Sequence, residues 1–405
     1  MARAWDWQKW GGANDLIHQS DLNGIVGKFA CLEQFRRKKE ERALEGKRTY
    51  ENAGGKLASG NAVHAVLHRI LRSEPAVQAM LDPEQTFARS TLQRAFDEEF
   101  DRERAGRAVD WYKVNGDKWR DECVSMLEGV IATMRERVGE VVLAESAFVY
   151  QIDGIWLTGA VDLIYRAPNS TALSFCDWKT GAQKPNQIDL DHGWQSGIYA
   201  GALAEAFFVP FENVPRVDGR AHRDVDEDVC TAIAVAWQAV LDGGGAQLDV
   251  DGRTAQDTLD ALVAAHGARR FDEFPERIRY VHLRDFIPYA RGGSKFVDRP
   301  EEVAWHGLEA PAKVKYEKGE TRGPAWYHVV RSESDAPRLR HLLRAVVSWI
   351  RFGRFPPAPG EMCTRCKFRE PCLLDGYKPV GEDAKRLAQL TKQIDFDGFD
   401  FDDEI

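Results

Sequence analysis

Gly159-Ala-Val-Asp-Leu-Ile-Tyr165, Leu173-Ser-Phe-Cys-Asp-Trp-Lys-Thr-Gly181 and Gln195-Ser-Gly-Ile-Tyr199 are pieces of one stretch whose reading decides the fold. The run from Ile155 to Tyr165 has the character of a hairpin strand, with Asp162 flanked by apolar residues. Asp177 and Lys179 close the next such run, and Ala167-Pro-Asn-Ser170 separates the two as a turn. Two antiparallel strands are the expected arrangement. Side chains alternate along a strand, so Asp177 and Lys179 share a face and Trp178 takes the other. Pairing would bring Asp162 beside Asp177, so that two carboxylates and an ammonium converge at a sheet edge. Such a cluster suits a hard divalent cation, which relieves the repulsion between acids. A surface hairpin with ordinary charges is the bland alternative.

Other stretches join this one. Gly60-Asn-Ala-Val-His64 lies upstream on a helical pattern, with Val63, Leu67, Ile70 and Leu71 spaced for one face. Gln195 and Tyr199 are four apart and share a helix face. Cys363-Thr-Arg-Cys366 and Cys372 lie downstream, and Cys31 far upstream.

The order Gly-x-x-x-His, Gly-x-x-Asp, Asp-x-Lys-Thr-Gly, Gln-x-x-x-Tyr resembles the RecB-type branch of the PD-(D/E)XK nuclease superfamily. With its cysteines, the chain resembles the iron–sulfur members of that branch, including the CRISPR-associated exonucleases and the AddB-type helicase-nucleases. The resemblance implies an α/β fold, a central mixed sheet flanked by helices, with an iron–sulfur-bearing helical cap. It implies metal ligation by His64, Asp162, Asp177 and the carbonyl of Trp178, with Mg²⁺ or Mn²⁺ as the ion. Lys179 would orient the attacking water or stabilise charge in the transition state. Gln195 and Tyr199 would contact the substrate or buttress the lysine; a Tyr packed in the core is the structural alternative. The implied substrate is DNA, single-stranded ends above all. A catalytically silent DNA-end-binding or adaptor protein on the same fold is the rival reading.

Composition bounds this picture without deciding it. With 405 residues, 43% hydrophobic and 29% charged, the chain fits a soluble globular protein. It has no apolar run of about eighteen residues for a membrane span, and its N-terminus lacks the apolar core of a signal peptide. A cytoplasmic location is expected. The net charge of −9 is concentrated, since residues 394–405 hold six acids and no Lys or Arg. A nuclease needs only a local basic path, and Arg36, Arg37, Lys38 and Lys39 are candidates for one.

Helices are expected over about 31–43, 84–104, 116–138 and 191–207. Strands are expected at Val141–Tyr150, Ile155–Tyr165, Ala172–Trp178, Arg279–Arg284 and Trp326–Arg331. Glu145, in the first strand, is open between a further metal ligand, a DNA contact and ordinary exposure. The resulting organisation runs in order: 1–58, an N-terminal helical part with the first cysteine; 59–209, the nuclease core; 210–276, an insertion with helices near 227–241 and 255–266. Then come 277–352, the end of the core sheet and a helix from Asp335 to Phe352; 353–380, the cysteine segment; and 381–405, an acidic tail expected to be disordered.

Seven cysteines in such a chain argue for ligation or burial rather than disulfides. Cys123, Cys176 and Cys230 read as buried small hydrophobes. Cys363, Cys366 and Cys372 lie close enough in sequence to share a metal or cluster, and Cys31 is the best fourth ligand. Spacing alone leaves Zn²⁺ and a [4Fe–4S] cluster level; the family resemblance favours the cluster. The tail, 394–405, alternates acid with Phe and is a candidate docking segment for a partner protein, a mimic of DNA charge, or a solubilising end.

Overall fold

The computed structural model describes residues 7–19, 21–22, 31–45, 53–82, 84–85, 87–104, 109–110, 115–181, 194–210, 222–243, 253–287, 293–297, 312–318, 320, 326–329 and 335–352. The chain falls into two compact units. One comprises Met1–Gln8, Ser20–Arg48 and Ser348–Ile405, the other Lys9–Gln19 and Thr49–Val347.

In the first unit, helix α1 (Leu32–Glu45) starts on the carbonyl of Cys31, which accepts from Phe35 N at 2.9 Å. Its basic run is tied down locally. Arg36 and Arg37 both reach Glu33, at 2.7 and 2.6 Å, and Lys39 pairs with Asp21 at 2.6 Å. These cations already have acidic partners, which weakens the expectation that they form an open basic path.

The second unit carries the sheet. In chain order its elements are β1 (Ile17–His18), β2 (Ala53–Gly54), α2 (Gly55–Leu71), α3 (Glu74–Leu81), α4 (Arg89–Arg104), β3 (Val109–Asp110) and α5 (Gly116–Arg137). There follow β4 (Glu140–Ile152), β5 (Ile155–Arg166), β6 (Leu173–Lys179), α6 (Trp194–Glu205), β7 (Phe207–Pro210), α7 (His222–Leu241) and α8 (Ala255–His266). The last are β8 (Arg277–His282), β9 (Gly293–Val297), β10 (Ala312–Tyr316), β11 (Trp326–Val329) and α9 (Asp335–Arg351), which this unit holds as far as Val347.

The main sheet runs β11-β8-β6-β5-β4-β7, with β1 added beside β5. It is mixed: β4, β5 and β6 are antiparallel neighbours, while β8 lies parallel to β6 and β1 parallel to β5. The central α/β sheet flanked by helices is therefore as expected. The β4–β5 hairpin turns at Asp153-Gly154, both with positive φ (52° and 77°), the backbone that a tight hairpin with matching twist requires. The sequence pattern did not announce α3 or the strands β1, β2, β3, β7, β9 and β10, and α4 starts later than expected. In α3, Ser73 at the N-cap and the proline that follows open a short helix.

Two apolar clusters hold the sheet. One joins Val63, Val66 and Leu67 of α2 and Leu127, Val130 and Ile131 of α5 to Leu163, Cys176, Trp178 and Val281. The other joins Cys230 and Ile233 of α7 and Leu259 of α8 to Val149, Trp156 and Val209. Helices α7 and α8 fall within the stretch read as an insertion and form part of this second layer. Among the described residues, no helix is long and apolar enough to cross a membrane.

Candidate active site

The site sits where β5 loses its neighbour. On one flank β5 pairs with β6 only from Leu163↔Cys176 to Arg166↔Leu173, and with β1 only at Leu157 and Thr158. Residues 159–162 of that flank lie between the two paired stretches. Asp162 and Asp177 occupy the next register positions beyond Leu163↔Cys176, so they meet as the strands part. The cluster is thus not at a sheet edge, as the sequence pattern suggested. β8 runs the length of β6 and β4 the length of β5, which leaves a gap inside the sheet rather than an open side.

Asp162 and Asp177 are buried, at 8% and 5% exposure. Asp162 accepts the main-chain N–H of Trp178 at 2.5 Å through Oδ2 and turns Oδ1 toward His64 Nδ1, 3.4 Å away. His64 comes from α2, and its Nδ1 also lies 3.3 Å from Glu145 Oε1. Gly60, one turn earlier, lets α2 approach: a Cβ there would stand 2.7 Å from Thr180 Oγ1. The Gly-x-x-x-His spacing therefore packs the helix on the residue after Lys179 and aims the imidazole at the acids. Lys179 Nζ pairs with Asp177 Oδ2 at 2.5 Å and lies 5.8 Å from the centre of the Tyr280 ring. The Trp178 side chain faces away, edge-on to Trp326 in the core.

The Gln-x-x-x-Tyr pair holds Asp177 rather than Lys179. Gln195 Nε2 donates to Asp177 Oδ1 at 3.2 Å and to Tyr199 Oη at 2.6 Å, and Tyr199 Oη lies 3.3 Å from the same carboxylate oxygen. Gln19, which sequence reading missed, completes this network: its Nε2 donates to Tyr199 Oη at 2.8 Å and to the Ala160 carbonyl at 3.3 Å. It stands just after a two-residue strand with no period to detect. Gly159 makes room for it, since a Cβ there would be 2.7 Å from Gln19 Cγ and 2.8 Å from Phe148 Cζ.

Glu145 emerges as a member of the site. It lies opposite Asp162, and its φ of +44° is a left-handed conformation that a glutamate in a strand rarely adopts. His64, Glu145 and Asp162 each offer an atom within 4.8 Å of the others, a set that could hold a metal ion. The electrostatics agree. Burial and the neighbouring Asp162 push Glu145 up to about 7. Burial would lower His64, but Asp162 and Glu145 outweigh it and raise the imidazole to about 10. Asp162 is held low against its burial by His64, Lys179 and the Trp178 N–H, whereas burial raises Asp177 despite Lys179. Two buried acids and the half-buried Glu145 face two cations, and a divalent ion would restore the balance. An imidazole and two carboxylates are a donor set that fits such an ion.

Of the cluster cysteines, Cys31 is described and half-buried, while Cys363, Cys366 and Cys372 lie outside the described residues, as does the tail 394–405. Cys123, Cys176 and Cys230 are buried, as expected, and burial raises the Cys123 thiol to about 12.

A family model described as PD-(D/E)XK nuclease superfamily matches residues 29–373, and the chain belongs to that superfamily. Membership points to a metal-dependent nuclease and implies DNA as the substrate. No curated protein matches the sequence.

Proposed function

We propose that the protein is a Mg²⁺- or Mn²⁺-dependent deoxyribonuclease that degrades single-stranded DNA from its ends. The observation that carries this reading is the meeting of Asp162 and Asp177 in the sheet gap, one facing His64 and the other bound to Lys179. His64, Glu145 and Asp162 would hold the ion, with Asp177 and the Trp178 carbonyl as further ligands. When bound, the ion supplies Lewis-acid polarisation of the scissile phosphate. One imidazole among oxygen ligands favours Mn²⁺ over the harder Mg²⁺.

The chain's own residues do the rest. Lys179 keeps an ammonium beside Asp177, where it can face charge developing on the phosphate. Gln195 and Tyr199 fix the Asp177 carboxylate, so little reorganisation is left for the moment of reaction. Burial of the acids keeps the local dielectric low and strengthens each of these interactions.

A [4Fe–4S] cluster on Cys31, Cys363, Cys366 and Cys372 belongs to the same proposal, with Zn²⁺ as the alternative. The family resemblance favours the cluster, where sequence spacing alone leaves it level with zinc. Iron and sulfide, rather than zinc, are expected in protein purified without oxygen. The acidic segment 394–405 is proposed as a docking site for a partner protein, and a chain ending at Gln393 would lose that binding.

Labelled single-stranded DNA with Mn²⁺, in linear and closed circular forms, tests the reading, with Asp177→Ala as control. Linear DNA should be degraded from its ends and circles spared. Cutting of circles would make the protein an endonuclease, and no cleavage by the unaltered protein would favour the silent DNA-binding alternative.

A further inference from the structure

We propose that Gln19 is a positioning residue of this site: by donating to both the Ala160 carbonyl and Tyr199 Oη, it frees the Tyr199 proton for Asp177. The inference rests on the nuclease reading above and deepens it.

The argument is an inventory of donors and acceptors. Tyr199 Oη has two lone pairs and one proton. Gln195 Nε2 at 2.6 Å and Gln19 Nε2 at 2.8 Å occupy the lone pairs. The single proton then has two acceptors within reach, the Ala160 carbonyl at 3.0 Å and Asp177 Oδ1 at 3.3 Å. Ala160 lies on the flank of β5 that neither β1 nor β6 pairs, so side chains must satisfy its carbonyl. Without Gln19, only the Tyr199 proton among these groups could do so. With Gln19 present, the second amide hydrogen reaches that carbonyl at 3.3 Å, and the phenol is released toward the carboxylate.

The orientation of the amide supports this assignment. Flipping it would set Gln19 Oε1 against the Ala160 carbonyl, oxygen against oxygen. As placed, Oε1 is buried without a hydrogen-bond partner among the described residues. The fold tolerates an unsatisfied acceptor to put the NH₂ group where it stands. Gly159, whose Cβ would collide with Gln19 Cγ, keeps the path open.

The test is a double-mutant cycle of Gln19→Met and Tyr199→Phe, read as kcat and KM on labelled single-stranded DNA with Mn²⁺. Gln19→Met, close in shape but unable to donate, should lower kcat about tenfold and leave KM and the melting temperature nearly unchanged. In the Tyr199→Phe background the same substitution should add less than about twofold, because its effect passes through the phenol. A kcat for Gln19→Met within about twofold of the unaltered protein, or losses that multiply in the double variant, would overturn the proposal. Should Gln19→Met not fold, Gln19→Asn keeps the amide but falls a methylene short, and the same two outcomes apply. If the unaltered protein cleaves no DNA, the nuclease reading fails by itself. Mn²⁺ affinity then replaces kcat in the cycle: weaker binding for Gln19→Met, absent in the Tyr199→Phe background, supports the role, and equal affinities sink it.

Discussion

His64 and His282 both face acids, and only the first marks the site. His64 Nδ1 has two carboxylates at 3.3 and 3.4 Å, a third acid nearby, and a side chain still 27% exposed. His282 Nδ1 has one carboxylate, Asp285, at 3.3 Å, and both side chains are nearly sealed, at 4% and 6%. Around His282 one acid faces one imidazole: Nε2 meets the Gly181 carbonyl at 2.9 Å, and Tyr327 donates to the other Asp285 oxygen at 2.6 Å. Nδ1 has Asp285 as a charge neighbour, without a hydrogen bond among the described residues. Around His64 the acids outnumber the cations. A histidine–acid contact is therefore no signature by itself. Surplus negative charge with access to solvent is what separates a place for a cation from a structural clasp.

The largest expected contrast is in activity. Asp177→Ala should lower DNA cleavage by about three orders of magnitude, the scale on which losing one member of a concerted set acts. Asp285→Ala, assayed per folded molecule with Mn²⁺, should cost far less. Equal losses would erase the distinction between the two clusters.

Stability should then separate them in the other direction. Asp285→Ala removes the partner of His282 and of Tyr327 together, and breaking such a buried pair costs about 3–5 kcal/mol, visible in chemical denaturation. Glu145→Gln should instead stabilise the metal-free protein by about 1–3 kcal/mol at pH 8. The sign follows from the raised acid. With its native pKa at about 7 against an ordinary 4.5, Glu145 contributes stability below pH 4.5 that is lost as pH rises through 7. Glutamine mimics the protonated form and escapes that loss. His64 acts in the same sense at higher pH: its contribution, full below 6.5, disappears as pH passes about 10. Melting temperatures of the metal-free protein should fall from pH 6 to pH 10, and saturating Mn²⁺ should flatten the curve.

The smallest effect concerns the approach of the helix. Gly60→Ala gains helix propensity of about 1 kcal/mol, offset by pressing Thr180 aside, so stability should barely change. The cleavage rate should drop a few-fold because Thr180 follows Lys179; an unchanged rate would show that the close packing has no bearing on the lysine.

Much of this was legible in the sequence, for identifiable reasons. The Asp162–Asp177 juxtaposition follows from period two and a short turn, and strand pairing then leaves little freedom. Helical spacing puts His64 on a helix and Gln195 and Tyr199 on one face, but their roles at the site came from the family resemblance. Gln19 was not legible, because β1 is too short for a period and its value arises only in the gap that β6 leaves. Glu145 was left open between ligand, DNA contact and ordinary exposure, since its left-handed backbone breaks the strand alternation that would have decided it. The place of the cluster inside the sheet was missed because β8 returns parallel to β6 from a hundred residues downstream, a pairing no local pattern announces.

The central claim is that His64, Glu145 and Asp162 form the seat of a divalent ion. Mn²⁺ titration of the metal-free protein, followed by electron paramagnetic resonance, tests it directly. Binding should be lost in Asp162→Asn and His64→Ala and kept in His282→Asn; affinity unchanged by the first two substitutions would contradict the account.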